Sequence, residues 1–178
     1  KGRFNSVCFV YRDSLYVFGG TDNSSNMNEI VRYDLSTQNS GEWTTIAKVN
    51  EANQRGGVAF VVEDKVYAGL GEKSNGIRNG FYVSSDSLTK WELIPSIPAQ
   101  LGVISSGVYD EQKKSFFMID NDGKIWEYNL TTEQWTSRSL WIRMKNYHMF
   151  MLDGSIYILG QDIYQKNKFT VYNPIWDN

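Results

Sequence analysis

The stretch Leu15-Tyr16-Val17-Phe18-Gly19-Gly20, followed by Ile30-Val31-Arg32-Tyr33-Asp34 and then Trp43, decides the fold, because the chain repeats it four times. The second copy runs Val66-Tyr67-Ala68-Gly69-Leu70-Gly71, then Gly80-Phe81-Tyr82-Val83-Ser84, then Trp91. The third has Phe116-Phe117-Met118-Ile119, Ile125-Trp126-Glu127-Tyr128-Asn129 and Trp135. The fourth has Ile156-Tyr157-Ile158-Leu159-Gly160, Phe169-Thr170-Val171-Tyr172-Asn173 and Trp176. The tryptophans recur at intervals of 48, 44 and 41 residues, a period that marks repeated supersecondary units.

A third apolar run precedes the glycine strand in every unit: Val7 to Tyr11, Val58 to Val62, Val103 to Tyr109 and Met149 to Leu152. These runs are rich in β-branched and aromatic residues. Turn residues bound them, as at Arg12-Asp13-Ser14, Glu63-Asp64-Lys65 and Asp153-Gly154-Ser155, so they read as strands. With the segment around each tryptophan, every unit holds four antiparallel strands, the content of one propeller blade. The repeats fall at approximately 1–50, 51–98, 99–141 and 142–178, and no helical stripe competes.

The pair Gly19-Gly20, the aromatic Tyr33 before Asp34, and Trp43 together resemble the kelch repeat, and the resemblance recurs through the other units. It implies an all-β, kelch-type β-propeller of four blade repeats. The pair shrinks to Gly71 and to Gly160, and Ile119-Asp120 replaces it in the third unit, where Tyr128, Asn129 and Trp135 stay in place. The segment Tyr82 to Asp86 ahead of Trp91 is similar to one found in bacterial galactose-oxidase-like propellers. That similarity is the sole pointer to a bacterial, extracytoplasmic origin.

Glycine at a strand end admits positive φ or the close approach of another backbone. Tyr33, Tyr82, Tyr128 and Tyr172, with Trp43, Trp91, Trp135 and Trp176, offer flat surfaces for one blade to bury against the next. These repeat residues are therefore expected to be structural. Propellers close with about four to eight blades, and 178 residues hold four. A piece of a larger ring is the expectation, and open blade edges and bare blade faces would then invite association.

A formal net charge of −2 speaks against nucleic acid as a partner, since phosphate binding needs concentrated positive charge. No apolar run approaches the length of a membrane span. The single cysteine, Cys8, has no internal disulfide partner and is expected to be a buried structural thiol. Asn23-Ser24-Ser25 and Asn129-Leu130-Thr131 match the glycosylation pattern, a short and frequent match.

Neither a metal nor a cofactor is expected. Resemblance to galactose oxidase would imply a copper site with two histidines, whereas His148 is the only histidine and reads as a polar residue at a strand entrance. In kelch propellers the loop into the inner strand and the loop after the glycine strand open on one face. That resemblance places Arg3, Asn5, Asn53, Gln54, Arg55, Gln100, Lys145, Asn146, Tyr147 and His148 in the first set of loops. Among the second set are Asp22, Asn26, Glu72, Lys73, Arg78, Asp120, Asn121, Gln161, Asp162 and Tyr164. Such groups hydrogen-bond sugar hydroxyls or polar peptide segments. The ligand-binding candidates are Arg55, Glu72, Asn53, Arg78, Asn146, Tyr147 and His148, with Arg55 foremost because two glycines follow it. No catalytic set is evident. The leading expectation is a binding module for a protein or glycan. The alternatives are a sugar-active enzyme resembling the kelch-type N-acetylneuraminate mutarotase, with Arg55 and Glu72 as its pair, and a role in assembly within a larger propeller.

Overall fold

The alternation of apolar and polar residues produces sheets in the places the repeat requires. The computed structural model describes residues 2–34, 42–76, 80–85, 87–98, 106–120, 122–141 and 144–174. Among them are fifteen strands and a one-turn 3₁₀ helix, Asn50–Ala52. The chain divides into two compact units, Lys1–Ser96 and Ile97–Asn178.

Unit 1 holds two four-stranded antiparallel sheets. The first has β1 (Val7–Tyr11), β2 (Ser14–Phe18), β3 (Glu29–Asp34) and β4 (Trp43–Lys48), in that spatial order. The second has β5 (Val58–Val62), β6 (Lys65–Gly69), β7 (Phe81–Ser85) and the short β8 (Glu92–Leu93). Strand order equals chain order, so each sheet is a meander, and β1 lies beside β5. The β1–β2 turn explains one residue choice. Arg12 and Asp13 both take positive φ, the geometry of the tight hairpin turn whose twist matches its strands.

One face of the first sheet carries Phe9, Tyr16, Phe18 and Ile30, all buried. It packs on Val66, Ala68 and Ala59 of the second sheet, with Leu88 and Trp91 at the outer side. Large aromatics on one blade thus meet small aliphatics on the next, which lets the sheets approach closely.

Unit 2 repeats the arrangement. One sheet has the spatial order β12 (Gln134–Trp141), β11 (Lys124–Asn129), β10 (Ser115–Ile119) and β9 (Gly107–Asp110). The other has β13 (Lys145–Leu152), β14 (Ser155–Gln161) and β15 (Asn167–Tyr172), and β9 lies beside β13. Three strands of the last sheet are described; the segment around Trp176 lies outside the described residues. Here Val108, Phe117, Ile119 and Ile125 pack against Met149, Ile156, Ile158 and Tyr172.

The glycine pair is explained by crowding as well as by φ. Gly19 has φ +64°, and a Cβ there would lie 2.4 Å from the Ala52 carbonyl oxygen and 2.6 Å from that of Gln54. In the second sheet Leu70 takes the position of that first glycine at φ +61°, fully buried, with its N–H donating to the Gly80 carbonyl at 2.7 Å. In the third, Asp120 is buried and satisfied. Its Oδ2 accepts from the Trp126 indole at 2.9 Å, and its Oδ1 from the Asp122 and Lys124 amides at 3.0 and 2.9 Å.

Three expectations differ from the structure. Cys8 is exposed on β1, because it alternates with the buried Val7 and Phe9; partial shielding still pushes its thiol above the ordinary value. His148 lies within β13, whose pairing begins at Lys145 and shifts register before His148, with Asn146 at φ +50°. Trp43 keeps 51% of its surface in solvent and packs on Tyr33 of its own sheet at 5.4 Å, because it sits on the outermost strand. By contrast Trp91 reaches Phe18 of the preceding sheet at 5.1 Å, with its indole N–H donating to the Leu88 carbonyl. Tyr172 meets Phe117 across sheets at 6.5 Å, while Trp135 stays on Tyr128 at 4.8 Å.

Gly19→Ala should cost about 1–3 kcal/mol for the strained φ alone, and more because two carbonyls must move. Gly154→Ala, at φ +73° with nothing within 4 Å of the added carbon, should cost only about 1–2 kcal/mol. Urea unfolding of both variants checks the order; equal losses would contradict the crowding argument.

Candidate functional site

The loop ends of unit 1 are built on backbone hydrogen bonds before any side chain acts. Phe4 and Thr21 exchange N–H to carbonyl bonds, both at 3.0 Å, as Arg55 and Glu72 do at 3.0 and 2.8 Å in the next sheet. The two sheets are stitched where the Gly20 amide donates to the Gln54 carbonyl at 2.8 Å and the Gly56 amide to that of Asn5 at 2.7 Å. The Asn26 amide group donates to the Glu72 carbonyl at 2.9 Å. This makes a rigid platform.

On it, Arg55 and Glu72 form an ion pair at 3.1 Å, with Arg55 about half exposed. Backbone pairing sets them opposite one another, so their charges neutralise each other first. Exposure limits the strength of such a pair to about 0–1 kcal/mol, and it can exchange for an incoming partner. Beside it the Lys73 ammonium donates to the Tyr82 hydroxyl at 2.9 Å and lies 5.3 Å from the centre of the same ring.

Several candidates serve the scaffold. The Arg3 guanidinium donates to the Gly19 carbonyl at 3.1 Å and to Glu29 Oε2 at 2.9 Å. Gln54 is buried, donating to the Glu51 carbonyl at 2.9 Å and accepting from the Gly71 amide at 2.8 Å. Asp22 Oδ1 closes its own turn on the Ser24 and Ser25 amides. Asn53 has its Oδ1 buried without a hydrogen-bond partner among the described residues. Arg78, Gln100 and Asn121 lie outside the described residues.

In unit 2, Tyr147 departs from the polar-mouth expectation. It is buried, and its hydroxyl donates to the Ile119 carbonyl of the neighbouring sheet. Asn146 and His148 are exposed on β13, on either side of Tyr147, and the Asn146 amide donates to Gln161 Oε1 at 3.3 Å. The loop that follows Gln161 is locked by Asp162. Its Oδ1 accepts from the Tyr164 and Lys166 amides, both at 2.9 Å, its own amide donates to the Lys166 carbonyl at 2.9 Å, and Lys168 stands 3.9 Å from Oδ2. At its tip Ile163 and Tyr164 are 64% and 75% exposed. The expected face included Tyr164 but not Ile163. The signal available was an Asp two residues before a large aromatic in a tight strand connection, an Asx-turn arrangement.

Among the described residues no group of three or more His, Cys, Asp or Glu could hold a metal ion. No described helix is long and apolar enough to cross a membrane.

Glu29 supplies a test. Burial favours its neutral form, but the hydrogen bond and charge of Arg3, with Lys48 at 3.5 Å, outweigh this and hold the carboxyl below its ordinary value of 4.5. A depressed carboxyl stabilises the fold above the unfolded-state value and loses that contribution as pH falls through the folded one. The stability gap between the protein and Glu29→Gln should therefore be full at neutral pH and shrink below pH 4.5. Parallel pH curves from urea unfolding would contradict the linkage.

No curated protein matches the chain in sequence. A family model described as the kelch motif matches residues 2–50, which hold the first sheet. Among solved structures, that of YjhT superposes with a TM-score of 0.71 at 14% identity, covering 98% of this chain and 69% of the YjhT chain. The chain thus opens with a kelch motif and has the fold of a kelch-repeat β-propeller.

Proposed function

We propose that the chain is a binding module that engages a protein through the loop ends of its blades, without chemistry of its own. The observation that carries this is the Asp162–Lys166 loop. An aliphatic and an aromatic side chain stand in solvent at the tip of a loop whose backbone is already fixed by Asp162. Two large apolar side chains adjacent at one loop tip give a partner an apolar contact to cover. Holding them in place beforehand removes ordering entropy from the cost of association. Aromatic anchors of this kind carry most of the energy of protein interfaces, and the polar Asn146, Gln161 and His148 supply a hydrogen-bonding rim. In unit 1 the Arg55–Glu72 pair and the half-exposed Phe4 offer a similar mixture. A glycan partner would also use exposed aromatics and amides, but the aliphatic Ile163 beside Tyr164 favours a protein surface.

The experiment is selection of the chain against a displayed library of protein fragments and, in parallel, a glycan array. Protein ligands should be recovered, and Tyr164→Ala should weaken them by at least about thirtyfold, the signature of an anchor worth about 2 kcal/mol. Its thermal unfolding should stay unchanged, because Tyr164 supports nothing in the blade. Binders indifferent to both Tyr164→Ala and Ile163→Ala, or ligands found only on the glycan array, would overturn the proposal.

A further inference from the structure

The connection between β6 and β7 carries the dipeptide Asn-Gly twice, at Asn75-Gly76 and at Asn79-Gly80. Asparagine before glycine is the pairing most open to cyclisation. The next amide nitrogen can reach the side-chain carbonyl carbon, and glycine brings neither a Cβ into its path nor a restricted φ. The two copies share a dipeptide and a loop, so the fold is what separates them.

Around Gly76 the chain is open. Ser74, Asn75 and Gly76 are all exposed, Gly76 has φ +79°, and nothing lies within 4 Å of the place a Cβ would take. Its amide donates to the Lys73 carbonyl at 2.9 Å within the turn. Asn79 lies outside the described residues, and the backbone after it is packed. A Cβ on Gly80 would meet the Tyr82 hydroxyl oxygen at 2.4 Å and two carbons of its ring at 2.8 and 2.9 Å. The Gly80 carbonyl accepts from the Leu70 amide at 2.7 Å, and the next residue, Phe81, is fully buried opposite Gly69 of β6. The peptide plane at Gly80 cannot swing without opening the start of β7, whereas at Gly76 it has only to release a turn bond.

We propose that Asn75 deamidates spontaneously in the folded chain and that the fold protects Asn79. The Gly76 nitrogen gives up its proton and attacks Asn75 Cγ. The new C–N bond closes a succinimide, and the side-chain nitrogen leaves as ammonia with that proton. Water then opens the ring. Cleavage between the nitrogen and Cγ gives aspartate; cleavage between the nitrogen and the main-chain carbonyl carbon gives isoaspartate, with the backbone rerouted through Cγ. Either product is ionised at neutral pH. An amide thus becomes a carboxylate in the turn that begins at Lys73, three residues from the Glu72 that pairs with Arg55. The change runs one way, so the charge of this loop end records the age of the molecule.

Trypsin reports the two sites separately, since cleavage after Lys73 and Arg78 puts Asn75 in the peptide 74–78 and Asn79 in 79–90. The chain is held in mildly alkaline buffer, folded or in guanidinium chloride, and digests are read over time by mass spectrometry, with isoaspartyl methyltransferase marking the isoaspartate. In the folded chain Asn75 should convert at least about tenfold faster than Asn79, which must wait for local unfolding. In guanidinium chloride the two should convert at similar rates. Asn75→Gln should remove the early acidic species from ion-exchange chromatography with circular dichroism unchanged. Asn79 converting as fast as Asn75 in the folded chain overturns the proposal. So does a preference for Asn75 that persists in guanidinium chloride, which would place its cause in the neighbouring residues. An Asn75 that converts when unfolded but survives in the folded chain also overturns it, because the turn bond to Lys73 would then be protection enough.

Discussion

The seam between neighbouring sheets is the constraint from which the rest of unit 1 follows. The turn after β2 passes so close to the next sheet that a Cβ on Gly19 would collide with two carbonyl oxygens, and at that distance the Gly20 and Gln54 backbones can bond directly. Once the seam is set, β1 must lie beside β5, and the loops that leave the sheets must emerge at the same end. Arg3 belongs to this seam, because its guanidinium spans the Gly19 carbonyl and the Glu29 carboxylate. So does Gln54, which uses both ends of its amide on the backbone.

The faces obey a second rule of equal consequence. Each interface seats apolar side chains of one sheet on apolar side chains of the next: Phe9, Tyr16 and Phe18 sit on the smaller Ala59, Val66 and Ala68, and Val108, Phe117, Ile119 and Ile125 sit on Met149, Ile156 and Ile158. Dense packing of this kind needs complementarity in size as well as apolarity. Glycine is not its only solution at the turn. Leu70 adopts the left-handed conformation that costs an ordinary residue about 1–2 kcal/mol, and its full burial offsets that cost. Asp120 solves the same corner with a carboxylate that an indole and two amides satisfy.

The fourfold phrase of strand, glycine, aromatic and tryptophan is enough to read the sheets and their antiparallel meander, because period and alternation are local properties. The roles of polar residues are harder to read, since they depend on partners distant in sequence. Arg3 meets Glu29 and Gln54 meets Gly71 only after the sheets form, and so residues that look like a polar mouth turn out to be braces. Tyr147 reads as a surface residue beside Asn146, yet the bulge at the start of β13 turns it inward to the neighbouring sheet. Trp43 errs the other way, since its place in the repeat does not reveal whether anything covers the outermost strand. The pairing of Arg55 with Glu72 is within reach of the sequence because both follow from one register: the strand that carries Val58 opposite Gly69 carries Arg55 opposite Glu72.

Native-state hydrogen exchange at the Gly20 and Gly56 amides tests the seam most directly. If the sheets of unit 1 are joined through those bonds, both amides exchange only with global unfolding, as slowly as the central strand β6, although they lie in turns. Exchange at the rate of the exposed turn amides around Ser24 would mean that the sheets touch without being stitched, and the glycine pair would then owe its place to something other than the close approach of two backbones.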